Sequence, residues 1–231
     1  MPDCARLPFI GRRLLLAASF VRRGAAVADI GTDHAYLPIY LVKSGVCVCV
    51  TAVDINPGPL IRAKENIARA GISDKITLRQ SAGLSAVFRN EADDIVAAGM
   101  GGDLIVSILS ACGWIKDRSL RLILSPNSKA SVLRRWLYSE GFDILRERAV
   151  FDAGRVYTVM SAAYDRVIRR DETAVYAGGL CCAPGEAERA YIGREIDRLL
   201  RKAGGYERSG DAGNARLLRE TAEKLRRAID K

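Results

Sequence analysis

The stretch Val27-Ala28-Asp29-Ile30-Gly31-Thr32-Asp33-His34-Ala35-Tyr36-Leu37-Pro38 constrains this chain more than any other. A short apolar run ends in an acid, a glycine and a second acid follow, and a helical pattern then takes over. The order reads as strand, tight turn and helix, because apolar residues suit a buried strand and glycine turns without steric penalty. In an open parallel sheet the ligand crevice lies beyond the carboxyl ends of the strands, with the first such turn at its centre. The rest of the chain is placed around that turn.

Upstream, Leu7, Ile10, Leu14, Leu15, Ala18 and Val21 recur at helical spacing with arginines between them, which predicts an amphipathic helix over residues 6–21 that Gly24 ends. Residues 25–30 form the first strand, and a helix is expected over 32–44. The valine-rich run 46–55 carries no charge before Asp54, as in a strand buried on both faces. Asn56-Pro57-Gly58-Pro59 is helix-start chemistry, and Gly71 closes that helix. Further strands are expected over 76–79, 94–98 and 120–124, helices over 103–112 and 128–140, and an antiparallel hairpin over 142–150 and 156–162. This alternation specifies an α/β, doubly wound sheet. Beyond Gly185 the pattern changes: Ile192, Ile196, Leu199, Leu200 and Ala203 make one helical stripe, and Leu218, Ala222, Leu225 and Ile229 make another, with the glycine-rich segment 204–210 between them. Two antiparallel helices would bury both stripes in a coiled-coil-like hairpin. The chain thus divides into an α/β domain, 1–165, and a helical hairpin, 166–231.

Hydrophobic residues make up 49% of the 231, enough for a sizeable core, and the net charge of +9 favours polyanionic partners without naming one. Six cysteines show neither metal-ligand spacing nor a disulfide framework. Cys47 and Cys49 alternate with valines, where thiols pack as small hydrophobes. With no signal-type or membrane-length apolar run, a reduced, cytoplasmic protein without membrane or metal is expected.

The turns select a ligand. A dinucleotide needs several glycines so that backbone can approach a pyrophosphate, yet only Gly31 is present, and the positions of the later glycines hold Asp33 and Tyr36. A carboxylate there repels phosphates. S-adenosylmethionine, cationic and phosphate-free, fits better, with Asp29 and Gly31 near its methionine part and Asp54 accepting from both ribose hydroxyls. Helix capping is the competing role for Asp29 and Asp33.

Asp-Ile-Gly-Thr-Asp-His-Ala-Tyr-Leu-Pro at 29–38, Ala-Gly-Met-Gly-Gly at 98–102, Ser-Pro-Asn at 125–127 followed by Leu-Arg-Arg-Trp-Leu, and the C-terminal hairpin together resemble the bacterial tRNA (adenine-N1)-methyltransferases that act on adenine 22. The resemblance spans nearly the whole chain. It implies a Rossmann-like S-adenosyl-L-methionine domain, a coiled-coil domain that helps hold tRNA, and a cofactor set of Asp29, Gly31, His34, Asp54, Ile55, Gly83, Gly99 and Met100. The chain departs from the family at Ser81-Ala82-Gly83-Leu84, where Gly-Asp-Gly-Leu is usual, so the carboxylate expected on the adenine amino group of the cofactor is missing.

Gly99-Met100-Gly101-Gly102 stands where amino-group methyltransferases carry an Asn- or Asp-Pro-Pro-aromatic turn. Ring nitrogen N1 of adenine has a free lone pair and needs only in-line placement. A wide glycine turn would admit a base, although Gly101 and Gly102 serve tight packing equally well. Methylation leaves positive charge on the adenine, which a carboxylate would stabilise, and Asp33 is the first choice. Asn127 is expected to read the base edge, or else to cap the following helix; His34, the only histidine, orients rather than catalyses; Tyr36 stacks on a base or lines its helix. Basic clusters at Arg12, Arg13, Arg22 and Arg23, at Lys129, Arg134 and Arg135, and at Arg194, Arg198, Arg201, Lys202, Arg226 and Arg227 together suggest a phosphate-tracking surface. Two other readings compete: an RNA-binding protein that has lost catalysis, suggested by Ala82, and an NAD-dependent oxidoreductase, opposed by the missing glycines.

Overall fold

Alternating apolar runs give a seven-stranded sheet of order β3-β2-β1-β4-β5-β7-β6. The computed structural model describes residues 7–169, 171–182 and 184–230. Its strands are β1 (Ala25–Ile30), β2 (Cys47–Asp54), β3 (Ile76–Gln80), β4 (Asp94–Ala98), β5 (Arg121–Ser125), β6 (Phe142–Asp152) and β7 (Arg155–Tyr164). Its helices are α1 (Arg12–Ala18), α2 (Tyr36–Lys43), α3 (Pro57–Ala70), α4 (Gly102–Ser110), α5 (Ala130–Ser139), α6 (Glu172–Ala177), α7 (Glu186–Arg208) and α8 (Ala212–Ile229). The first five strands pair in parallel and β7 runs antiparallel to both β5 and β6. From β1 the chain winds outward through β2 and β3, then returns to lay β4 on the other side. The crevice between β1 and β4 is therefore the switch point of the sheet.

Both faces of the sheet are covered, as its parallel strands require. Val27, Val50, Ala52, Val96 and Ile123 face the cluster containing Ala17 of α1, Leu41 of α2 and Ile67 of α3. Ala28, Ile30, Ile95, Ala97, Leu122 and Leu124 point the other way, toward Ile105 of α4 and Leu133 of α5. The hairpin stripes meet as expected, Ile192, Ile196, Leu199 and Ala203 against Leu218, Ala222 and Leu225, and the same cluster takes in Ala130 of α5 and Val156 of β7. Hairpin and sheet edge thus share apolar packing.

The largest boundary shifts are in three helices. Helix α1 begins at Arg12 rather than at residue 6, which lies outside the described residues; Leu7 is exposed although Ile10 is buried. Helix α2 begins at Tyr36, because Asp33 and Ala35 take φ values of 52° and 59° that no α-helix admits. Helix α7 continues through Gly204 and Gly205 to Arg208, leaving only a short loop before Asp211, whose side chain accepts from the Asn214 N–H and caps α8. Glycine costs about 1 kcal/mol against alanine in a helix, and packing of Ala203 and Tyr206 in the hairpin cluster outweighs it. Strand β2 is exposed at Val48 and Cys49 and buried at its other positions, so Cys47 but not Cys49 is a core thiol.

Candidate active site

The tips of β1, β2 and β4 open into a crevice of about 390 Å³ whose lining includes Asp29, Gly31, Thr32, Asp33, His34, Asp54 and Gly99. Its floor is the β1 turn. Gly31, at φ 73°, and Thr32 both donate backbone N–H to the Val53 carbonyl, at 2.9 and 3.0 Å, which ties the turn to β2. A Cβ on Gly31 would meet only the flexible Met100 methyl, at 2.8 Å, so it is the positive φ that favours glycine here. The Asn66 amide donates to the His34 carbonyl at 3.0 Å and holds the turn from α3.

Asp54 ends β2 with a carboxylate that accepts from the Asp33 N–H at 3.3 Å and the Asn56 N–H at 2.9 Å. Fixed in this way, it presents negative charge to the crevice. Asp29 lies deeper, 4% exposed, and its pKa is pushed up to about 6: burial is the main cause, the Thr32 hydroxyl pulls the other way, and the Asp54 charge adds to the rise. Neither acid caps α2, since no side chain caps that helix. Asp33 projects into solvent at the mouth, its side chain 70% exposed and its Oδ1 3.6 Å from His34 Nε2.

The Asp29 shift has a sign that can be measured. Between the ordinary aspartate value of 3.8 and about 6 the folded chain holds a proton that the unfolded chain releases. Stability from this group is therefore greatest at low pH and falls as pH rises through 6. Asp29→Asn is expected to stabilise the ligand-free protein at pH 8 by up to about 3 kcal/mol, and by much less at pH 4. Urea unfolding at the two pH values checks it; equal effects at both would refute the assignment.

Two buried polar atoms lining this crevice lack a partner among the described residues: Arg13 Nη1 and His34 Nδ1. Buried polar groups are normally satisfied, so these suit a polar ligand carrying both donors and acceptors. Arg13 was grouped with the surface cations by its sequence context. The structure instead folds α1 over the sheet, so that its guanidinium stacks 5.3 Å from the Tyr157 ring centroid and lies against Gly99, with burial lowering its pKa. Nothing in the local sequence distinguishes it from Arg12.

The remaining sequence-designated residues lie around, not in, the crevice lining. Ile55 is exposed just past β2, and its carbonyl accepts from the Gln80 amide at 3.1 Å. Gly83 adopts φ 66° with Ile108 2.6 Å from where its Cβ would sit, which explains a glycine there on packing grounds. Asn127 caps no helix; its Nδ2 donates to the Gly99 carbonyl at 2.6 Å and pins the β4 turn to the β5 turn. Gly102 is a packing glycine: a Cβ would come 2.4 Å from the Lys129 carbonyl oxygen, where the two turns touch. Gly102→Ala should cost about 1–3 kcal/mol through overpacking, read as a lowered urea midpoint at unchanged m; an unchanged midpoint would show that the turns can move apart.

A doubly wound sheet with acids at its first two strand tips and a glycine turn between them defines the Rossmann-like methyltransferase class, and residues 10–160 match the family described as a methyltransferase domain. Within that class the chain is 34% identical, over 94% of its own length and 94% of the relative's, to the tRNA (adenine(22)-N(1))-methyltransferase of Bacillus subtilis (strain 168). The crystal structure of the B. subtilis enzyme superposes with a TM-score of 0.85 at 30% identity, covering 97% of this chain and all (100%) of that one. A Streptococcus pneumoniae structure in complex with S-adenosyl-L-methionine gives 0.81 at 31% identity, with 96% and 100% covered. The chain belongs to the tRNA (adenine(22)-N(1))-methyltransferase family.

Proposed function

We propose that this enzyme transfers the methyl group of S-adenosylmethionine to ring nitrogen N1 of adenine 22 in tRNA. Family membership over nearly the whole chain supports the reaction. The observation that carries the site is the fixed Asp54 carboxylate at the second strand tip, facing a crevice with two orphaned polar atoms. The sulfonium donor supplies an electrophilic methyl group, which the N1 lone pair takes while the carbon–sulfur electrons return to sulfur. No base is needed. Asp54 accepts from the ribose hydroxyls, and Asp29 with the backbone at Gly31 faces the methionine part. His34 and Arg13 supply the unpaired polar atoms. Ile55 and Met100 flank the ligand, with Gly99 and Gly83 shaping the neighbouring turns. Asp33, exposed at the mouth, stabilises the positive charge that develops on the adenine, and Asn127 holds the Gly99 turn where the base enters. An extruded base needs such an open rim. The hairpin, 166–231, holds the RNA.

The test is an unmodified tRNA transcript incubated with donor and enzyme, the product mapped by mass spectrometry. Methylation at N1 of adenine 22 is expected. Asp33→Asn should lower kcat about ten-fold, since one preorganised charge is removed from a solvent-exposed position, with donor affinity unchanged. Intact tRNA binding without transfer at stoichiometric enzyme would favour the RNA-binding alternative and defeat the proposal.

A further inference from the structure

Many of the cations that the sequence offers for RNA are already used within the protein. Arg134 is fully buried on Glu147, Arg22 is bound to Asp94, and Arg135 pairs with Glu172. Three outward arginines of α8 are neutralised too: Arg216 by Glu220, Arg219 by Glu207 and Arg226 by Glu223. Local pairing of this kind is what a solvated face needs and what a polyanion site lacks.

One place differs. Between the start of β7, the β5–α5 turn and α7 lies a second cleft of about 270 Å³, whose lining includes Lys129, Arg155, Arg194 and Arg198 with one carboxylate, Glu195, along with Asn127 and Tyr157. Lys129 is held by Asp103 at 2.7 Å and Arg198 by the buried Glu195 at 3.0 Å. Arg155 and Arg194 are exposed and pair with no carboxylate among the described residues; Arg194 only rests 5.7 Å from the Tyr191 ring centroid. Arg194 and Arg201 stand seven residues apart, two helical turns, so they share one face of α7 and continue the cleft as a positive track. The cleft also shares a wall with the methyl-donor crevice. Asn127 lines the cleft while its amide holds the Gly99 carbonyl of the crevice, and Tyr157 lines the cleft while its ring carries Arg13, which lines the crevice.

We propose that this cleft binds the phosphodiester backbone next to the target nucleotide, with Arg155 and Arg194 as its phosphate contacts and the α7 stripe as the path along which the strand leaves. This rests on the tRNA reading above and adds to it a location. Phosphates held one wall away from the methyl donor would fix the register of the strand while the base crosses into the crevice, because backbone contacts position and do not read sequence.

The experiment measures tRNA affinity and methyl-transfer kinetics with an unmodified transcript across a salt series. Arg155→Ala/Arg194→Ala should raise the tRNA Kd and KM by on the order of ten-fold or more, through two lost charge-assisted contacts. The slope of log affinity against log salt should fall by roughly two, one per phosphate contact. The melting temperature, donor affinity and kcat at saturating tRNA should hold, and Arg194→Lys should recover part of the salt slope. Arg216→Ala, on the paired face of α8, should change neither KM nor slope. An unaltered KM and slope in the double variant, or an equal loss in Arg216→Ala, would overturn the cleft. Because wild-type transfer is scored in the same assay, failure of the cleft is distinct from failure of the tRNA reading.

Discussion

Asp54→Ala is expected to weaken S-adenosylmethionine binding by about 100-fold or more and to reduce transfer at ordinary donor concentrations to near background. The carboxylate offers two charged acceptors to the proposed ribose hydroxyls, and charge-assisted hydrogen bonds are worth about 1.5–3 kcal/mol each. Its loss also frees the Asp33 and Asn56 amides that now hold the first two turns together. Asp54→Asn separates these effects: it keeps one acceptor for the backbone and loses the second, so its donor affinity should fall between wild type and alanine. Calorimetric titration of donor into each variant reads this directly. If alanine binds the donor as tightly as wild type, the ligand does not lie across the β2 tip.

The second large effect is on stability. Arg134→Leu should destabilise the protein by about 3–5 kcal/mol, because it strips the counter-charge from a buried glutamate, and lower the melting temperature by roughly 10–15 °C. Arg134 and Glu147 have fully buried side chains 2.7 Å apart. Burial alone would make the guanidinium easier to deprotonate, but the Glu147 charge outweighs it and raises the pKa well above the usual arginine value. The same guanidinium donates to the Val175 and Tyr176 carbonyls of α6 and to the Tyr191 hydroxyl of α7. Glu147 additionally accepts from the Thr158 hydroxyl at 2.6 Å and from the Gly179 N–H. One ion pair thus fastens the C-terminal segment to the sheet edge. Arg134→Met/Glu147→Leu should recover much of the loss, since an apolar pair of similar volume avoids the uncompensated charge. Scanning calorimetry on single and double variants decides it, and a single variant that melts like wild type would remove the pair from any structural role.

Local signals were legible where local physics decides. The strands β1 and β4 run as their apolar stretches indicate, because strands buried on both faces of a parallel sheet read as near-continuous apolar runs, interrupted here only by Asp29 and Asp94. Asp29, Gly31, Asp33 and Asp54 come together at one crevice because strand–turn–helix order in a doubly wound sheet places strand tips side by side. The late start of α2 was not legible. It depends on left-handed backbone at Asp33 and Ala35, two residues whose side chains do not demand it; the turn is held by bonds to Val53, Asp54 and Asn66 from other elements.

The linear order of apolar, acidic and glycine residues was sufficient to specify the sheet, the crevice at its strand tips and the helical hairpin, because each rests on periodicity or on turn chemistry within a few residues. Which arginines are buried, paired or free was decided only in three dimensions. Arg13, Arg134 and Arg194 sit in similar basic stretches, yet one lines the crevice, one is buried on Glu147 and one faces an open cleft. A long cationic side chain takes its role from what packs against its tip, and those partners come from strands and helices far away in sequence.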